Sequence, residues 1–293
     1  MTRTISAFVA ALAVAAAAAA AETARPHVLV TNDDGIDAPG IAALVEAIRG
    51  DYRVTVAAPS EDQSGTGHGI TYRVPVLVEE RPSSDGVRRF AIHAQPATCV
   101  RIALSALTAF TVHDPRPVLV LSGINRGDNA GRSTWVSGTL GGAREGALAG
   151  LPAVAFSAVV THGQDPDYAG AARWAKLVLD RLRAAGLPAA GALVKVEIPF
   201  PRAAARGVLV TSVGMAPDRE DSYVESIGPH GEELFSSLWA PPETDAAGTD
   251  VRALAEGWVT VTPLTLDQTD YRGLPALTAV PWGAPPAASA PTP

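Results

Sequence analysis

The chain has a single cysteine, Cys99. An intramolecular disulfide is therefore excluded, and a thiolate zinc site has too few ligands. Cys99 stands in Ala97-Thr98-Cys99-Val100, opening an apolar helical run, and reads as a small buried hydrophobe. No Gly-Lys-Ser/Thr occurs, so a Walker phosphate loop is absent, and no Gly-x-Gly-x-x-Gly follows the first strand. Ser64-Gly65 is not a nucleophile elbow, because Asp62 stands where that turn needs glycine. Positive charge is outweighed: 23 Lys and Arg face 30 Asp and Glu, a net charge of −7 that argues against a nucleic-acid polymer as partner. Beyond the first 21 residues no long uncharged apolar run points to a membrane span, and no internal repeat is visible.

The N-terminus is different in kind. Arg3 precedes an apolar run from Ala7 to Ala20, short of the ~20 residues that cross a bilayer comfortably. Ala17-Ala18-Ala19 and Ala19-Ala20-Ala21 both satisfy an A-x-A cleavage rule. Residues 1–21 thus read as a secretory signal peptide, with an alanine-rich tail or uncleaved anchor as the alternative. The expected protein is exported, periplasmic or secreted. At the other end, 281–293 is a Pro/Ala-rich tail expected to be disordered. Residues 22–280 are left for one α/β domain.

Within that span strands and helices alternate. Strands are expected at 27–31, 53–58, 72–79, 87–93, 118–121, 153–157, 192–198 and 207–212. Helices are expected at 39–49, 97–109, 139–148 and 167–185, the last with Trp174, Leu177, Val178 and Leu182 on one face. This order predicts an α/β fold with a doubly wound, Rossmann-like, mostly parallel sheet. From 213 the pattern changes. The stretch 213–263 reads as an extended hairpin arm, a helical turn at 249–254 and a return strand at 258–262. An arm with little core of its own suits exchange between subunits.

The chemistry-bearing residues follow the strands. Val28-Leu29-Val30-Thr31 runs into Asn32-Asp33-Asp34-Gly35, and two adjacent carboxylates at a buried strand end repel each other unless a cation neutralises them. The alternative is a helix cap, which accounts for one acid more easily than two. The loop from Ala58 to His68 holds two glycines, with Ser64 and His68, and leaves backbone N–H groups for an anion; otherwise it is a surface loop. Ser122-Gly123-Ile124-Asn125 leads to Gly127 and Asn129: Asn125 offers a hard carbonyl oxygen and Asn129 an amide donor. Ser137-Gly138-Thr139 opens a helix, a ready phosphate site or an ordinary cap. Three of these loops follow expected strands, so all can face one crevice at the carboxyl edge of the sheet.

At these residues the chain resembles the SurE family of survival-protein nucleotidases. The matching blocks are Val30 to Ile36 with Ala38-Pro39-Gly40, Ala58-Pro59 with Ser64-Gly65 and His68 to Thr71, Ser122 to Asn125 with Gly127 and Asn129, and Ser137-Gly138-Thr139 with Glu145-Gly146. Thr249-Asp250-Val251 and Gly257 to Pro263 look like the closing strand of that family. The resemblance implies metal-dependent hydrolysis of nucleoside 5′- and 3′-monophosphates, some members also cutting short polyphosphate. By position it implies metal ligation by Asp33, Asp34, Ser64 and Asn125, phosphate contacts from Asn129, Ser137, Gly138 and Thr139, and a homodimer or homotetramer with exchanged C-terminal arms. Three places depart from the pattern: Ala97-Thr98 in a Pro-x-Asp-Cys-Val stretch, Val136 where an aromatic is common, and Val194-Lys195-Val196-Glu197-Ile198-Pro199 in place of Asn-x-Asn-x-Pro.

The expectation is an exported phosphomonoesterase carrying one Mg²⁺ or Mn²⁺ per subunit in an all-oxygen site. Asp33 and Asp34 are the candidate catalytic carboxylates, with Asp33 orienting or deprotonating the attacking water, and His68 is a candidate acid. The alternatives are a non-catalytic exported phosphate- or nucleotide-binding protein and a broad acid phosphatase or exopolyphosphatase.

Overall fold

The computed structural model describes residues 25–107, 116–160, 166–186 and 188–282. The expected signal peptide and residues 283–293 of the expected tail lie outside them.

The first strand, β1 (His27–Thr31), is buried at every position, as expected of a strand covered on both faces. Pro39 starts α1 (Pro39–Ile48), where its missing N–H costs nothing, and the helix buries Ile41, Leu44, Val45 and Ile48. The chain continues through β2 (Arg53–Pro59), β3 (Val78–Arg81), β4 (Arg88–Ile92) and α2 (Pro96–Ile102), which ends in a π-helical turn. Then come β5 (Leu119–Arg126), α3 (Gly138–Leu148), β6 (Ala153–Ala158), α4 (Tyr168–Ala184) and β7 (Leu193–Ile198). After β8 (Val208–Val210) the arm leaves as β9 (Glu220–Ile227) and β10 (Glu233–Ala240). It returns through α5 (Asp250–Ala255) and β11 (Val259–Leu264) to α6 (Leu274–Thr278).

Nine strands form one sheet in the order β3-β4-β2-β1-β5-β6-β7-β11-β8. The six from β4 to β7 are parallel; β3 and β11 run antiparallel to their neighbours β4 and β7. From β1 the chain builds outward to β2 and β4, then returns to β5 on the other side of β1. That reversal opens a crevice at the carboxyl ends of β1 and β5. One face of the sheet packs against α1 and α4, the other against α2 and α3. Helix α3 lies close because Gly142 and Gly146 face the sheet: a Cβ there would come within 2.7 Å of the Thr31 side chain and 2.6 Å of Val120.

The doubly wound sheet expected from the pattern is present, with three local differences. Strand β5 does not end at Leu121 but carries its ladder to Arg126, and its register against β6 shifts between Ser122 and Asn125. A bulge of this kind bends the strand and re-aims the residue after it. The strand expected at 72–79 forms only at Val78–Arg81, since Pro75 withholds an N–H from any ladder upstream. Helix α6 carries no buried residue and had no counterpart in the sequence reading. Cys99 is buried, with its thiol pushed up by burial and directed at Ala94 O.

Candidate active site

A cleft of about 630 Å³ opens at the carboxyl edge of β1 and β5. Asp33, Ser64, Asn125, Asn129 and Ser137 all line it. Four separate segments supply them: the loop after β1, the loop after β2, the bulged end of β5 with the turn beyond it, and the start of α3.

Asp33 is almost fully buried. Burial raises its carboxyl to about 7, against an opposing hydrogen bond from Thr139 and with the charge of Asp34 adding to the rise. Thr139 donates its hydroxyl to Asp33 Oδ1, and its backbone N–H also faces that carboxylate. Gly138 permits the approach: a Cβ there would stand 2.8 Å from Asp33 Cβ and 2.9 Å from Oδ2. Gly138 and Thr139 therefore sit behind Asp33 rather than on the cleft wall. Asp34 is half-buried and also off the wall; its Oδ2 accepts the Arg126 N–H at 3.1 Å. Burial raises Asp34 as well, the Arg126 bond opposing and the charge of Asp62 adding.

The neutral oxygens are oriented by their neighbours. Ser64 donates its hydroxyl to Asp62 Oδ1 at 2.6 Å, which leaves its lone pairs open. Asn125 commits its N–H to Gly127 O at 2.9 Å, which leaves its side-chain oxygen as the acceptor. Asn129 donates to Ser157 Oγ at 2.9 Å. Ser137 caps α3 by accepting the Leu140 N–H at 3.0 Å, and its own proton stays available. Buried Asp33 and half-buried Asp34, the latter's charge partly offset by Arg126, together with the neutral oxygens of Ser64 and Asn125 suit a hard divalent ion. No trio of His, Cys, Asp and Glu is gathered among the described residues, consistent with a donor set completed by Ser and Asn oxygens.

His68 lies elsewhere. Its Nε2 pairs with Glu145 Oε2 at 2.9 Å, and Arg101 Nε reaches the other oxygen at 2.6 Å. Nor did the sequence reading anticipate the rest of the cleft wall, which includes Trp135, Met215 and Trp239. Trp135 is 56% exposed and Trp239 49%. Trp135 is adjacent to a residue the motif already flagged, but Trp239 belongs to the root of the arm and reaches the cleft only through the tertiary fold. Asp62, two residues before Ser64, had a local signal as a turn-forming residue.

A family model described as "Survival protein SurE" matches residues 28–220. The 5′-nucleotidase SurE 1 of Thermus thermophilus is 38% identical over 256 residues, covering 87% of this chain and 97% of that protein. The 5′-nucleotidase SurE of Geobacter sulfurreducens is 38% identical over 260 residues, covering 86% and 92%. Among solved structures, the SurE protein from Aquifex aeolicus aligns with a TM-score of 0.71 at 31% identity, over 86% of this chain and 98% of the other.

Proposed function

The chain belongs to the SurE family, and from that premise we propose that it is a metal-dependent phosphomonoesterase hydrolysing nucleoside 5′- and 3′-monophosphates. The observation that carries this reading is the cleft shared by Asp33, Ser64, Asn125, Asn129 and Ser137. Acidic and neutral oxygens for a cation meet amide and hydroxyl donors for a phosphoryl group there.

In this reading Asp33, Asp34, Ser64 and Asn125 hold one Mg²⁺ or Mn²⁺. Such an ion supplies Lewis acidity toward a phosphoryl oxygen. The other steps belong to the chain. Asp33 orients the attacking water and accepts its proton. The water oxygen bonds to phosphorus as the ester P–O bond breaks, the departing oxygen takes a proton from solvent, and the nucleoside and inorganic phosphate are released. Asn129 and Ser137 bind the phosphoryl oxygens and stabilise the charge that gathers on them. Trp135 and Trp239 offer flat faces on which a base can stack, which favours nucleotides over smaller monoesters.

The arm supports an oligomer. Among the described residues strands β9 and β10 pair only with each other, and Tyr223, Ile227, Phe235 and Leu238 are exposed on them. A homodimer or homotetramer with exchanged arms covers that surface. Among the described residues no helix is long and apolar enough to cross a membrane. Export rests on the leader-like residues 1–21.

The test is phosphate release by the purified protein from 5′- and 3′-mononucleotides, glycerol phosphate, an aryl phosphate and tripolyphosphate, each with EDTA, Mg²⁺ or Mn²⁺. Metal-dependent release favouring mononucleotides is expected. Tight nucleotide binding without turnover under any metal would instead make the protein an exported binding module, and preference for tripolyphosphate an exopolyphosphatase.

A further inference from the structure

The chain contains two lysines, Lys176 and Lys195. Lys176 is on the surface; Lys195 lies in the middle of β7 with 0% of its side chain exposed. Two residues on, Glu197 is equally buried and shares its face of the strand. A lysine and a glutamate inside a strand covered on both faces are costly unless each bond they can make is used.

Those bonds converge on Asn129. Lys195 Nζ donates to Asn129 O at 2.9 Å, to Thr134 Oγ1 at 2.7 Å and to Asp250 Oδ2 at 2.5 Å. All three ammonium hydrogens are thereby engaged. Glu197 Oε2 accepts the Asn129 N–H at 3.0 Å, while its Oε1 is buried without a hydrogen-bond partner among the described residues. The peptide groups on both sides of Asn129 Cα are thus held by the two β7 side chains. Asp250 extends the joint, accepting the Gly131 N–H at 3.1 Å and the Gly214 N–H, at the root of the arm, at 2.7 Å. None of these hydrogen bonds has Asp33, Asp34, Ser64 or Asn125 as a partner.

We propose that Lys195 and Glu197 are positioning residues that act through Asn129, fixing its carboxamide toward the phosphoryl group and joining its loop to the arm through Asp250. The proposal rests on the phosphate-binding reading of Asn129 given above.

The experiment compares the parent with K195M, N129A and K195M/N129A, reading three quantities: kcat/KM for a 5′-mononucleotide, the dissociation constant of inorganic phosphate by calorimetry, and the metal concentration giving half-maximal activity. K195M is expected to weaken phosphate and lower kcat/KM by about tenfold, with half-saturation by metal within twofold of the parent. In the N129A background the same change is expected to add less than twofold, because two residues acting through one contact are not additive. Multiplying losses, or an equal loss of metal affinity, would overturn the proposal. E197A and E197Q keep it falsifiable if K195M does not fold. E197Q retains an acceptor for the Asn129 N–H and should match the parent within twofold. E197A should show the phosphate defect, and an E197A protein with parental phosphate affinity would overturn the proposal. A parent that binds phosphate but hydrolyses no monoester would overturn the enzymatic reading while leaving calorimetry to decide this one.

Discussion

Thr139, in the first turn of α3, donates its hydroxyl to Asp33 Oδ1 at the end of β1, 106 residues earlier. The sequence places Thr139 among the phosphate contacts; in the folded chain its hydroxyl and its N–H both serve the acid. The contact joins the first turn of α3, whose cap Ser137 lines the cleft, to the carboxylate proposed to take the proton from water.

Breaking that contact should be visible as a change of pH dependence. The Thr139 bond lowers Asp33, so T139V should raise its carboxyl and move the acidic limb of the rate profile to higher pH. The lost hydrogen bond should also cost about 1–3 kcal/mol of stability. T139S should restore both. Profiles of kcat/KM with the three proteins check this, and an unmoved limb in T139V would show that Asp33 does not set it.

Asp33→Asn should abolish turnover while making the metal-free protein more stable. An acid held at about 7 instead of 3.8 costs the fold on the order of 2–4 kcal/mol when ionised. The amide oxygen of Asn can still accept from Thr139. The thermal midpoint in EDTA at pH 8 should therefore rise by several degrees. Retained activity in D33N would remove Asp33 from the chemistry, and a lower midpoint would mean that its carboxylate is not strained.

The metal-free protein should lose stability as pH rises from about 4 to about 8. Burial raises Asp33 to about 7 and Glu197 to about 8, the latter opposed by Lys195 and helped by Asp128. Both bind protons in the folded state that they have already released in the unfolded chain, so stability falls across that window and levels off above it. Carboxylates with the opposite shift act at lower pH. Arg89 holds Asp85 low; burial raises Glu145, but His68 and Arg101 outweigh it. Their contribution is lost as pH falls below about 4. Urea midpoints in EDTA at pH 5, 7 and 8.5 read the slope, which E197Q should reduce. Saturating Mg²⁺ or Mn²⁺ should flatten it, because a cation bound to Asp33 displaces the proton.

Trp239→Ala should separate nucleotides from small monoesters. Stacking of a base on an aromatic ring is worth about 1–3 kcal/mol, so kcat/KM for a 5′-mononucleotide should fall about tenfold, mainly through KM. Hydrolysis of glycerol phosphate, which has no ring, should change less than twofold. Equal losses on both substrates would point to a structural role for Trp239 at the arm root.

The alternation of buried strands with helices of 3.6-residue period was enough to predict a doubly wound sheet, because strands covered on both faces must be apolar throughout. The placement of Asp33-Asp34, Ser64, Asn125 and Ser137 after strands or at a helix start was legible too, since turn and cap chemistry is local. What local pattern cannot carry is contact between segments distant along the chain. Strand β5 looked finished at Leu121, yet the ladder to β6 carries it through a bulge that sets the direction of Asn125. Thr139 looked like a phosphate ligand until the packing of α3 on β1 brought Asp33 to its hydroxyl. Lys195 and Glu197 stood in the sequence only as departures from a pattern. Their meaning depends on Asn129 and Thr134 of the β5–α3 connection and on Asp250 of α5, which arrive from two other segments. Hydrophobic period and turn chemistry act over a few residues, so the sheet and the loops that meet at its carboxyl edge can be read along the chain. Which donor serves which acceptor follows from the packed fold, because a buried polar group takes its partner from whatever is packed against it.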